Sequence, residues 1–311
     1  MHGYRLAFVT PIQAPSWQRW LVFSPVARLV FFTALLVAAS MLFGLVPHGP
    51  AESPVAKGLR ELGFRAVAPL LAYLVLVKLI ERRPVRELAL RRLAPEGALG
   101  LAAGALLFSA VVGSLWLLGS YRIIGTNPEA HWMLAALTVG LGAGIGEEII
   151  CRGVLYRIVE EGLGSWIALL VSALFFGAAH LNNPGATLWA GLAIAIEAGI
   201  LFGLIYLVTR SLWICMGLHA AWNFMQGTVY GIPVSGTRAD GWLVSTRSGP
   251  DWLSGGVFGA EASVVALVLC TLVSAMLLAV ALRRGLIVPP GWRRQGTEPR
   301  SGSLPMPTPG S

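Results

Sequence analysis

Charge is scarce in this 311-residue chain: Asp, Glu, Lys and Arg make up 12% of it, against 56% hydrophobic residues and a mean hydropathy of +0.71. That composition leaves too little polar surface for a water-soluble globule and makes lipid the expected solvent. Cysteine is nearly missing as well. Cys151, Cys215 and Cys270 all fall in apolar runs and no CxxC pair occurs, which argues against a disulfide framework or a metal knuckle. They read as small core residues. No soluble basic face gathers the lysines and arginines, so the net charge of +8 does not signal nucleic acid. The first apolar run begins after roughly 25 residues without a small-residue cleavage site, so a retained helix is expected rather than a secretory leader. Internal repeats are absent, as are the paired interrupted helices of inverted-repeat transporters.

What the chain has is long apolar runs. A bilayer core about 30 Å thick takes ~20 residues per helix, and suitable runs lie near 27–46, 64–80, 98–118, 132–156, 165–182, 186–208, 211–231 and 262–282. The expected fold is all-α, a multi-pass transmembrane helical bundle of about eight helices in a lipid bilayer. Of the 23 Lys and Arg residues, 17 fall on the termini and alternate connections, Arg152 and Arg157 among them. The other six are Lys57, Arg60, Arg65, Arg122, Arg238 and Arg247. The positive-inside rule then puts both termini in the cytoplasm. The connector ERRPVRELALRR, 81–92, reads as part of that topology signal.

Against this background the stretch GIGEEIICRG, 144–153, stands out. An acidic residue at the centre of a membrane helix costs ~2.5–3.5 kcal/mol on insertion scales, so two adjacent glutamates need partners or water. Successive helical side chains diverge by about 100°, whereas Glu148 and Arg152 are i,i+4 neighbours. Glu148 is therefore expected to pair with Arg152, leaving Glu147 facing a cavity. Gly142, Gly144 and Gly146 would allow either a close helix approach or room for water. His180 follows Phe176 by four residues in FFGAAHLNNP, and GLHAAWNF puts His219 and Asn223 one turn apart.

If the fourth and fifth runs turn at EGLG, 161–164, Glu147 lies about 16 residues before the turn and His180 about 17 after it, nearly level at ~1.5 Å per residue. A longer extension of this hairpin than of the next would bring His219 to the same depth, in the half nearer the turn. A carboxylate, two imidazoles and a carboxamide converging in this way suit hydrolysis of an amide by an activated water. Glu147, His180 and His219 could equally hold a divalent metal such as zinc, and the spacing leaves both mechanisms open.

The motifs read EEIICR, FGAAH and HAAWN, in that order on successive helices. They resemble the EExxxR, FxxxH and HxxxN/D motifs of the CAAX-processing and bacteriocin-processing intramembrane proteases, the family of the type II CAAX prenyl endopeptidase. GLHAAWNF and WLSGGVFGAEAS look like its bacterial branch. The resemblance implies an endopeptidase acting on a membrane-associated peptide or protein, with Glu147 as general base and His180 holding the attacking water. His219 and Asn223 would form the oxyanion site, with Glu148, Arg152 and Phe176 supporting. It further implies a bacterial plasma-membrane location and a catalytic core over 131–282. Composition, with Trp17 and Trp20, reads 1–25 as an interfacial segment, and hydropathy reads 26–130 as membrane helices. The Pro, Gly and Ser bias of 283–311 suits a disordered tail. HExxH, GxGD and GxSG are all missing, which sets aside the other intramembrane protease types. An ion-relaying transporter and a non-catalytic scaffold are the alternative classes. Glu197, in AIAIEAGIL, stands outside the motifs.

Overall fold

The computed structural model describes residues 6–11, 13–45, 49 and 52–294. Arg5, Arg300 and the part of the expected tail beyond Arg294 lie outside the described residues. Seven long helices organise the described residues: α1 Pro25–Gly44, α2 Val55–Ile80, α3 Leu90–Leu117, α4 Trp132–His180, α5 Leu188–Thr209, α6 Leu212–Phe224 and α7 Val264–Arg283. Their starts are set by local chemistry. Ser24, Thr187, Ser211 and Ser263 each sit just ahead of a helix and accept the N–H three residues on, satisfying a donor the helix cannot. Pro25 occupies the first helical position of α1, where no N–H is needed.

Among the described residues six helices, all but α6, are long and apolar enough to cross a membrane. The eight runs expected from sequence map onto the seven helices with two differences. α4 joins the fourth and fifth runs into 49 residues, broken at Gly164, where φ is 82° and ψ 171°. A β-carbon there would lie 2.7 Å from the Val288 carbonyl oxygen, so glycine is needed for space as well as for conformation. The two arms pack together, with Ser172 Oγ donating to the Cys151 carbonyl at 3.3 Å. α6 continues through a π-helical turn, Met225–Val229, but carries His219, Asn223 and Gln226 in its buried length. It is sheltered by protein rather than by lipid.

α6 lies against α3 at backbone distance: a β-carbon on Gly104 would come within 2.3 Å of the Leu218 carbonyl oxygen. α4 approaches two neighbours as tightly. β-carbons on Gly144 and Gly146 would meet Ala220 N at 2.9 Å and the Arg65 carbonyl oxygen at 1.8 Å. Of the two uses open to these glycines in the sequence, close approach is the one realised. Glu147 and Glu148 are thereby wedged between α2 and α6.

The connections at one end hold a feature the all-α expectation did not include. β1 Tyr121–Thr126 and β2 Leu243–Arg247 pair antiparallel, Tyr121 opposite Arg247 and Thr126 opposite Leu243, with an irregularity between Ile123 and Gly125. Ser120 Oγ donates to the Ser248 carbonyl at 2.7 Å, and Tyr121 Oη to the Tyr230 carbonyl at 2.9 Å. The long 231–261 connection is thus fastened to the α3–α4 connection.

At the other end a buried ion-pair cluster joins α1, the α2–α3 connector and the α4 break. Glu81 Oε1 accepts from Arg28 at 2.8 Å and from Arg157 at 2.9 Å, and Arg157 reaches Glu161 at 3.1 Å. Arg83 holds Glu87 at 2.7 Å. Burial alone would raise the Glu87 carboxyl, but the hydrogen bond and charge of Arg83 outweigh it and hold it at about 2. The 81–92 connector, expected only to signal topology, is therefore a packed element. Arg152, counted among the connection charges, is instead fully buried inside α4.

Candidate active site

Glu148 is buried without exposure, and its Oε1 accepts from Arg152 Nη1 and from His219 Nδ1, both at 3.0 Å. The Arg152 pairing is the one the i,i+4 spacing predicts; the contact with His219 was not foreseen. The second Arg152 nitrogen donates to the carbonyls of Ala198 and Gly199, each at 3.0 Å, which fixes α5 to α4. The guanidinium sits 4.8 Å from the Phe176 ring centroid and 5.1 Å from that of Phe202. Phe176 thus covers the charge, a favourable aromatic contact in a dry interior. Phe202 also stacks on the His219 ring at 5.3 Å.

Glu147 points elsewhere, as the helical angle requires. Its Oε2 lies 4.0 Å from His180 Nε2 and 3.9 Å from His219 Nε2, and has no hydrogen-bond partner. The far nitrogen of each ring is already engaged: His180 Nδ1 is 2.7 Å from the Phe176 carbonyl and His219 Nδ1 is 3.0 Å from Glu148. A carbonyl or a carboxylate can only accept, so both rings carry their proton on Nδ1 and, when neutral, turn a lone pair on Nε2 toward Glu147. His219 is thus an acceptor in its neutral form and a donor at Nε2 only as imidazolium. Asn223 donates one N–H to the Val139 carbonyl at 3.0 Å. Its other N–H is outside that bond, and the residue lines a cavity together with His180, His219, Glu197, Ser235 and Glu261.

The depth arithmetic that levelled Glu147 with His180 agrees with their separation. The half of the bundle does not: the cavity is bordered by Ser235 and Glu261 of the long connection, away from the 161–164 turn. The second arm of α4 explains this. Its sixteen residues from Ser165 to His180 rise about 24 Å, most of the way across a bilayer core. Glu261 and Gln226 were missed in the sequence. Gln226 accepts from Trp222 Nε1 at 3.1 Å and donates to the Pro233 carbonyl at 2.6 Å, holding the long connection over the site. Glu261 lies inside WLSGGVFGAEAS, where an acid among Gly and Ser reads as loop.

Glu147, His180 and His219 supply the donor types of a zinc site, but not its spacing. Bonds of ~2.0–2.2 Å in a tetrahedron put ligand atoms roughly 3.3 Å apart, short of the 3.9 and 4.0 Å found here. No group of three His, Cys, Asp or Glu among the described residues has metal-ligand geometry. A gap of about 4 Å between polar atoms that turn toward one another is one a water can bridge.

No curated protein matches the chain. Residues 129–225 match the family model described as Type II CAAX prenyl endopeptidase Rce1-like. That range opens just ahead of α4 and closes just past Asn223, so the segment carrying Glu147, His180, His219 and Asn223 is the part of the chain similar to the Rce1-like type II CAAX prenyl endopeptidases.

Proposed function

We infer that the chain is an intramembrane endopeptidase that cleaves a membrane-associated peptide or protein with a water activated by Glu147. The observation that carries the reading is the convergence of Glu147 Oε2 with both imidazole Nε2 atoms. A water in that gap donates one hydrogen to Glu147 and the other to His180 Nε2, which leaves an oxygen lone pair directed at the substrate carbonyl. As the new C–O bond forms, Glu147 takes the proton. The Asn223 amide donates to the oxyanion, joined by His219 in its imidazolium form, which carries a proton taken up from solvent before the water attacks. Glu147 then returns its proton to the leaving nitrogen as the C–N bond breaks.

Glu148 and Arg152 are positioning residues. Glu148 holds the His219 tautomer, and Arg152 neutralises Glu148 and ties it to α5. The charge pattern supports both termini in the cytoplasm, and the motif resemblance suits a bacterial plasma membrane. The test is cleavage of a lipid-tethered peptide library by the purified chain in nanodiscs. Turnover lost in Glu147→Gln supports the reading; turnover retained in that variant, or ion transport without cleavage, rejects it.

A further inference from the structure

Glu197 has no part in the hydrolytic scheme, yet it lines the same cavity as His180 and His219. It lies in the π-helical stretch Ala195–Ile200 of α5, is 2% exposed, and its Oε2 has no hydrogen-bond partner. Glu261, from the segment just before α7, lines that cavity too and is equally buried. Its Oε1 accepts the Ser235 N–H at 2.5 Å. Among the described residues no Lys or Arg lines the cavity. The cations nearby are committed elsewhere: Arg152 to Glu148 and two carbonyls, Arg247 to the Ser254 carbonyl at 2.8 Å.

Two carboxyl groups facing one buried cavity cannot both ionise without a partner, and an orphaned carboxyl oxygen is a costly buried group. The cost disappears when a cation enters. The cavity holds about 30 Å³, room for roughly two waters or one compact ammonium head, rather than for a planar guanidinium fork. Its remaining walls include Ile194, Leu201 and Phe202, which suit an alkyl stem. We propose that Glu197 and Glu261 form a substrate subsite that takes the ammonium of a lysine-like side chain next to the scissile bond. The inference rests on the protease reading and names what that same cavity selects. A peptide carbonyl held near Glu147 and a cation held by Glu197 would fix the register of the peptide.

The test compares lipid-tethered peptides carrying lysine or norleucine at each position around the cleavage site, with the full chain in nanodiscs. Wild type is expected to favour lysine at one fixed position by at least about tenfold in kcat/KM, the scale of a desolvated charge pair. Glu197→Gln and Glu261→Gln should each reduce that ratio, mainly through KM, and Glu197→Asp should restore part of it. A ratio near one in wild type, or one unchanged in Glu197→Gln, overturns the subsite while leaving the protease intact. If wild type cleaves no peptide, the protease reading fails, and the subsite is judged by binding alone. Thermal stabilisation by n-butylammonium in wild type but not in Glu197→Gln upholds a cation site, and equal behaviour of the two proteins overturns it.

Discussion

His219 Nδ1 and Glu148 Oε1 lie 3.0 Å apart across α6 and α4, joining residues 71 positions apart in the chain. Because Glu148 is also held by Arg152, it is the anchor through which one motif orients the imidazole of another.

From that arrangement Glu147 and Glu148 should fail in different ways. Glu147→Gln is expected to lower kcat by roughly 10²–10⁴-fold with the fold unchanged, because the amide cannot accept the proton of the water. Glu148→Gln should destabilise the chain by about 3–5 kcal/mol, leaving Arg152 buried without its anion. Turnover and thermal unfolding measured on both variants decide it. Equal loss of activity with no stability change would reject the division of roles.

The spacing around Glu147 leads to an expectation about metal. Chelators should leave turnover of the purified protein nearly unchanged, and Asn223→Ala should lower kcat by about 10²–10³-fold, as for a lost oxyanion donor. One equivalent of zinc in active protein, with activity restored only by adding metal after chelation, would overturn this and assign His180 and His219 as ligands.

Gly146→Ala tests how Glu147 is held. The added carbon would fall 1.8 Å from the Arg65 carbonyl oxygen, a backbone atom that cannot rotate away. Overpacking of this kind costs about 1–3 kcal/mol. Because Glu147 is the next residue, activity should fall together with the melting temperature. A variant of wild-type stability and rate would show that α2 does not set the position of Glu147.

Acid should loosen the opposite end first. The Glu87 carboxyl is held at about 2 in the folded chain, below the ordinary 4.5. Its contribution is therefore present above pH ~4.5 and is lost as pH falls toward 2, on the order of 3 kcal/mol in all. Melting temperature followed over that window should drop more steeply in wild type than in Glu87→Gln. Parallel profiles would remove Glu87 from the account.

Orientation can be read by labelling. Ser248 and Arg284 are exposed at opposite ends of the bundle, and the three native cysteines are buried and give little background. Cysteine placed at 248 should react in intact cells, and cysteine at 284 only after permeabilisation. Labelling at 284 from outside would reverse the topology.

Much of this was legible because the membrane makes polar residues conspicuous. Glu147, Glu148, Arg152, His180, His219 and Asn223 could be singled out from hydropathy alone, and helical angle sufficed to separate the two glutamates. What stayed hidden depends on contacts between distant parts of the chain. Arg28 and Glu81 are 53 residues apart, and each reads locally as an ordinary connection charge. Tyr121–Thr126 becomes a strand only when paired with residues more than a hundred positions later, so no local period announces it. Glu261 was concealed differently: its flanking glycines and serines signal a loop, and nothing in a loop's composition tells that it folds back over a cavity.

The break at Gly164 bears on how the protein is made. Ser165 N–H donates to the Val288 carbonyl at 3.0 Å, and Val288 N–H returns a bond to Ser165 Oγ at 2.9 Å. The turn between the arms that carry Glu147 and His180 is therefore closed by residues that follow α7. During synthesis α4 emerges more than a hundred residues before its turn can be satisfied, so the hairpin stays unfinished until α7 and the residues after it have docked. A ribosome-bound intermediate lacking α7 would hold Glu147 and His180 in the bilayer with the turn still open, and the pair would reach its final setting only when α7 arrives.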